Sequence, residues 1–141
     1  MFHFFPKSRH ILTTAAALAA GTLLAAPVCR AANDDVKPVT TEKLPNVPGK
    51  SITAIVVNYA PGAKSDKHHH AGSVLAYVLS GEIRSENSAT GPVKVYKAGE
   101  SFFEPPGSKH LVSENASATE PASLLAIFIA DDGATLTTFD K

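Results

Sequence analysis

Residues 62–81 read GAKSDKHHHAGSVLAYVLSG, and the order of residues in this stretch decides how the rest of the chain is read. A polar run ends in His68, His69 and His70, and an apolar run follows that stops at Ser80-Gly81. Side chains alternate across a β-strand, so residues i and i+2 share a face. In extended backbone His68 and His70 therefore point one way and His69 the other. Two neutral imidazoles placed so can take adjacent positions on one cation, and imidazole suits zinc, copper, iron and nickel. A triple-histidine tract alone is more often a solvated loop, so the flanking sequence has to carry the assignment.

Outward from this stretch the chain is a series of short β-type runs divided by turn residues. Ile52–Tyr59 ends at Pro61-Gly62, and Val74–Leu79 ends at Ser80-Gly81. Glu82–Glu86, Val93–Tyr96, Ser101–Glu104, His110–Glu114 and Leu124–Ile129 follow in the same manner. No repeat or amphipathic helix interrupts them. This spacing predicts an all-β fold, a small antiparallel β-barrel whose closure removes exposed strand edges. Residues 99–115 read GESFFEPPGSKHLVSEN, so His110 opens a strand just after a tight Pro-Pro-Gly turn. Antiparallel pairing can bring it beside His68 and His70 as a third imidazole.

These two stretches resemble the paired motifs of the cupin family. The first motif, G-x5-H-x-H-x3-E-x6-G, is met by Gly62, His68, His70 and Gly81. The second, G-x5-P-x-G-x2-H-x3-N, is met by Gly99, Pro105, Gly107 and His110, with Asn115 one position late. The resemblance runs from about Ile52 to Ile129. It implies a double-stranded β-helix of jelly-roll type holding one divalent transition metal (Fe, Mn, Ni, Cu or Zn) on His68, His70 and His110.

One position departs from the pattern: the family's glutamate ligand falls on Val74. A three-histidine site leaves positions open for water and substrate. It is also one unit more positive, which favours an anionic or chelating substrate. Glu104, just before the Pro-Pro-Gly turn, is the compensating candidate. Reaching into the barrel mouth, it would serve as a fourth ligand or as a general acid/base with a raised pKa. The plainer alternative is a solvated turn residue. Tyr77 and Phe102 are candidate substrate-lining aromatics, with core packing the plainer role. His69 is expected to face away from the metal.

What the resemblance implies about activity is a metal-dependent, oxygenase-like enzyme acting on a small oxygenated or chelating substrate. The alternative is a non-catalytic metal or small-ligand binding module, because the family spans oxygenases, isomerases, lyases and non-enzymes. Cupins commonly pair, so a homodimer is expected. Thirteen basic residues balance thirteen acidic ones and no basic stripe is present, which argues against a nucleic-acid partner.

The N-terminus reads as a signal peptide over residues 1–31. Lys7, Arg9 and His10 precede an Ala- and Leu-rich stretch, and small residues stand at Cys29 and Ala31. Cleavage after Ala31 predicts an exported protein, periplasmic or secreted, without a stable membrane anchor. An uncleaved anchor is the alternative reading. Cys29 is the single cysteine, so the mature chain would have neither disulfide nor thiol chemistry. Residues 32–49, broken by Pro38, Pro45 and Pro48, read as an extended arm, and residues 50–141 as the barrel domain.

Overall fold

The computed structural model describes residues 35–141, so the expected signal peptide lies outside the described residues. These residues form ten strands. They are β1 (Asp35–Lys43), β2 (Lys50–Tyr59), β3 (His68–His70), β4 (Ser73–Ser80), β5 (Glu82–Asn87), β6 (Gly91–Lys97), β7 (Ser101–Glu104), β8 (Lys109–Asn115), β9 (Ala122–Asp131) and β10 (Thr137–Phe139). They pair antiparallel in two five-stranded sheets, ordered β1-β2-β9-β4-β7 and β10-β3-β8-β5-β6. The all-β jelly-roll architecture is the one the sequence predicts. No helix among the described residues is long and apolar enough to cross a membrane.

Alternation builds the core. On β4 Val74, Ala76 and Val78 are buried while Leu75, Tyr77 and Leu79 are exposed. On β9 Leu124, Ala126 and Phe128 enter the same cluster, which Val57, Tyr59, Ile83 and Phe102 complete. Burying the Val, Leu, Ile and Phe side chains among them contributes roughly 1.5–3 kcal/mol each. Gly81 closes the hairpin between β4 and β5 at φ 68°, and a Cβ there would stand 2.6 Å from the Pro121 carbonyl oxygen. Glycine is therefore required on both conformational and steric grounds.

Two strands lie outside the runs read from the sequence. Over Asp35–Lys43 the Pro-rich segment hydrogen-bonds along β2 as an edge strand. The register slips between Pro38 and Thr40, where the proline has no N–H to donate. The second is β10, which pairs Thr137 with His70 and Phe139 with His68. The histidine strand β3 is therefore held between β10 on one side and β8 on the other.

Candidate metal centre

The three histidines are brought together by the second sheet. His68 is the direct Cα partner of His110 across the β3–β8 ladder, and His70 lies two residues along on the same face. The Pro-Pro-Gly turn is tied to this strand, because the Gly107 N–H donates to the His70 carbonyl at 2.8 Å. Ring centroids stand 4.8 Å apart for His68–His70 and 5.0 Å for His68–His110. One ring nitrogen from each of the three lies within 4.8 Å of the others, and all three side chains are buried. His69 points away and meets the Asp140 carboxylate at 2.9 Å.

A local irregularity aims the third histidine. Asn87 pairs with His110 and Glu86 with Val112, so Leu111 is the extra residue of a bulge in β8. Strict alternation would put Asn115 on the opposite face from His110. The bulge brings both inside, at 4% and 3% exposure. The asparagine one position late in the sequence pattern is thus accommodated. Its amide donates to the Ala60 and Glu120 carbonyls and braces the loops beneath β8.

The hydrogen bonds fix which ring nitrogens are available. His68 Nδ1 lies 2.6 Å from the Asp66 carbonyl oxygen, and His70 Nδ1 lies 3.1 Å from that of Leu136. A carbonyl only accepts, so each Nδ1 carries the proton and each Nε2 keeps its lone pair. His110 Nε2 meets Ser85 Oγ at 2.9 Å, whereas its Nδ1 is buried without an aligned hydrogen-bond partner. Burial, reinforced by the neighbouring imidazoles, holds the pKa of His70 down to about 4 and that of His110 to about 3. Both are neutral near pH 7, the form that ligates metal. An orphaned ring nitrogen beside two tautomer-locked ones is a donor set that fits a divalent cation.

Glu104 is not a solvated turn residue. It is 2% exposed, and its Cα partner across β4–β7 is Val74. Its Oε2 lies 3.1 Å from His110 Nδ1 and 3.9 Å from His70 Nε2. Asn87 Nδ2 donates to it at 3.3 Å and to Ser108 Oγ at 2.9 Å. Burial pushes the Glu104 carboxyl up to about 7, against the lowering effect of the Asn87 hydrogen bond.

The histidines and Glu104 line a cavity of about 280 Å³ whose remaining wall is largely aliphatic and aromatic, including Val57, Val74, Ala126 and Phe128. Phe102 lines it too, its ring 5.9 Å from that of His110. Exposed Val36 and Phe139 also line it, so β1 and β10 flank the opening. Tyr77 does not reach this cavity. It lies on the outer face of β4, 42% exposed, because Val74, Ala76 and Val78 take the inward parity. Sequence reading passed over Ser85 and Asn87, buried on β5, and the hydroxyls of Tyr59 and Ser113, hydrogen-bonded at 2.8 Å. Their signal was polar residues on the inward parity of a strand, visible once Ile83 is taken as core.

A family model described as "Cupin domain" matches residues 55–128. The chain belongs to the cupin family. Among curated proteins this cupin is 33% identical over 91 residues to Germin-like protein subfamily 2 member 2 of Arabidopsis thaliana, covering 62% of this chain and 41% of that one. It thus spans less than half the length of that relative. Among solved structures it is similar to oxalate decarboxylase OxdC of Bacillus subtilis, as a mutant (TM-score 0.55, 27% identity, 62% of this chain and 23% of that chain). It is also similar to the DMSP lyase DddQ of Ruegeria pomeroyi (TM-score 0.54, 22% identity, 62% and 42% coverage). A Klebsiella pneumoniae protein with a double-stranded β-helix domain matches over 74% of this chain and 85% of its own, with TM-score 0.53 and 23% identity. The last two likenesses speak for the fold alone.

Proposed function

We propose that this cupin is an exported enzyme that holds one divalent transition metal on His68, His70 and His110 and acts, in an oxygenase-like manner, on a small oxygenated or chelating substrate. The observation that carries the reading is the convergence of ring nitrogens at the wall of an apolar cavity. Two of them are locked as lone-pair donors by backbone carbonyls, and the third is buried without an aligned partner. When bound, the metal supplies Lewis acidity or one-electron chemistry to a chelating oxygen of the substrate. The cavity, about 280 Å³, lies at the small end of ligand sites, which run to about 300–1,000 Å³. It suits a small acid or enol better than a polymer segment. Val57, Ala126 and Phe128 give the cavity an apolar wall, and Phe102 lines it beside His110. The name of one structural relative, an oxalate decarboxylase at 27% identity, likewise points to small-molecule chemistry.

The test is the metal content of untagged protein purified from its native compartment, beside a His68→Ala/His110→Ala variant. About one redox-active metal per chain, lost in the variant, followed by substrate-dependent oxygen uptake, supports the proposal. Stoichiometric zinc without turnover turns the reading to a binding module. The absence of any metal removes the mechanism.

The protein is also proposed to form a homodimer. On the outer face of the first sheet Leu75 is paired with Phe103 and Ile127, and Ile129 with Ile52, with no charged residue among them. Leu75, Phe103 and Ile129 are exposed there. A second copy offers the same apolar side chains, as an isologous contact requires.

A further inference from the structure

The position that would carry the family's glutamate holds Val74, a buried side chain with no donor atom. We propose that Glu104 is the metal's fourth protein ligand, supplied from β7 instead of β4. The inference rests on the three-histidine reading above and deepens it.

Three observations carry it. First, Val74 and Glu104 are Cα partners, so their side chains leave the sheet on one face from adjacent positions. Directly paired Cβ atoms stand about 4.5–5.5 Å apart, a gap that a glutamate side chain covers. The carboxylate can therefore serve the same point in the cavity after moving one strand sideways. Second, Glu104 Oε2 lies 3.1 Å from His110 Nδ1 and 3.9 Å from His70 Nε2. Donor atoms bound at about 2.1 Å to one ion stand roughly 3.0–3.4 Å apart at right or tetrahedral angles. The nearer separation is already that of two ligands of one ion, and the longer one exceeds the range by about half an ångström.

Third, the surroundings do not satisfy a buried carboxylate. Among the described residues, the side chains nearest its carboxylate are the two neutral histidines, and its hydrogen-bond donor is Asn87 at 3.3 Å. Lysine and arginine are absent from this environment. A carboxylate so placed needs a compensating charge, and a divalent cation among the three imidazoles supplies it. Asn87, anchored on Ser108, holds the carboxylate towards the histidines. The donor set becomes three imidazoles and one carboxylate. The excess positive charge expected from Val74 alone then disappears.

The test uses the full mature chain, stripped with a chelator and titrated with Co²⁺ alone. Affinity is read by calorimetry and coordination by the visible absorption of the bound cobalt. Glu104→Gln should weaken Co²⁺ binding at least about tenfold, since even loss of an outer partner of a ligand costs about 10–100-fold. It should also change the cobalt spectrum. Val74→Glu combined with Glu104→Ala, which returns the carboxylate to β4, should restore affinity and spectrum towards wild type. Wild-type affinity and spectrum in Glu104→Gln would overturn the assignment while leaving the three-histidine site intact. Weakened binding with an unchanged spectrum and no rescue would also overturn it, making Glu104 a positioning residue for His110. If wild-type protein does not bind Co²⁺, both readings fall.

Discussion

His68 and His110 sit directly opposite each other on neighbouring strands, Cα partner to Cα partner across the β3–β8 ladder. Their spacing is therefore set by sheet hydrogen bonds and does not depend on loop conformation. Removing either imidazole should lower metal affinity at least about 100-fold, beyond the range seen for outer partners of ligands. His69→Ala, altering a side chain that faces Asp140 instead, should leave affinity close to wild type. Calorimetric titration of the single variants checks both statements. Equal losses in His68→Ala and His69→Ala would show that the tract binds as a flexible cluster.

Ser85 tests the outer support of the site. Its hydroxyl meets His110 Nε2 at 2.9 Å and is buried with it, so it orients the ring from behind. Ser85→Ala should weaken metal binding about tenfold to a hundredfold while keeping one metal per chain. Unchanged affinity would mean that packing against Phe102 alone holds the ring.

How far the sequence revealed this arrangement depends on the residue. His68 and His70 were legible because period-two alternation needs only a local strand, and β3 supplies one. Phe102 on the inward face and Tyr77 on the outward face follow the same rule. Counting parity from Val74 along the strand would have excluded Tyr77 from the cavity. The face taken by Asn115 was not legible, because a bulge at Leu111 resets parity between it and His110. Nor was the fate of Glu104, whose burial depends on β7 pairing with β4 across distant sequence. The strand β10 spans Thr137–Phe139, too short to announce itself, yet it forms one side of the support for β3.

The buried titratable groups predict an acid dependence of the metal-free protein. His70 and His110 have folded pKa values lowered to about 4 and about 3, so the unfolded chain takes up their protons first. Their contribution is fully present above about 6.5 and is lost as pH falls. Glu104 has the opposite sign. Its folded pKa is raised to about 7, so it opposes folding as pH rises from about 4.5 through 7. Between about 4.5 and 6.5 the two histidines outweigh the one glutamate, and these three groups together make stability fall on acidification. Glu104→Gln should steepen that fall by one proton, about 1.4 kcal/mol per pH unit. Urea unfolding in chelator across this range checks it. Parallel curves for wild type and variant would show that Glu104 titrates alike in both states.

The outer face of the first sheet gives the last prediction. Leu75, Phe103 and Ile129 are exposed on one apolar surface, while the cavity opens between the two sheets. Charging that surface should separate association from metal binding. In light scattering the wild-type chain should run at dimer mass at micromolar concentration. Leu75→Glu and Phe103→Glu should run at monomer mass with metal affinity unchanged, because both side chains point away from the histidines. Introducing like charges at the centre of an isologous interface sets each residue against its own copy, at a cost of several kcal/mol or so. A wild-type chain at monomer mass throughout the micromolar range would remove the dimer. A dimer that survives both substitutions would place its contact elsewhere, with the exposed edge strand β1 as the next surface to charge.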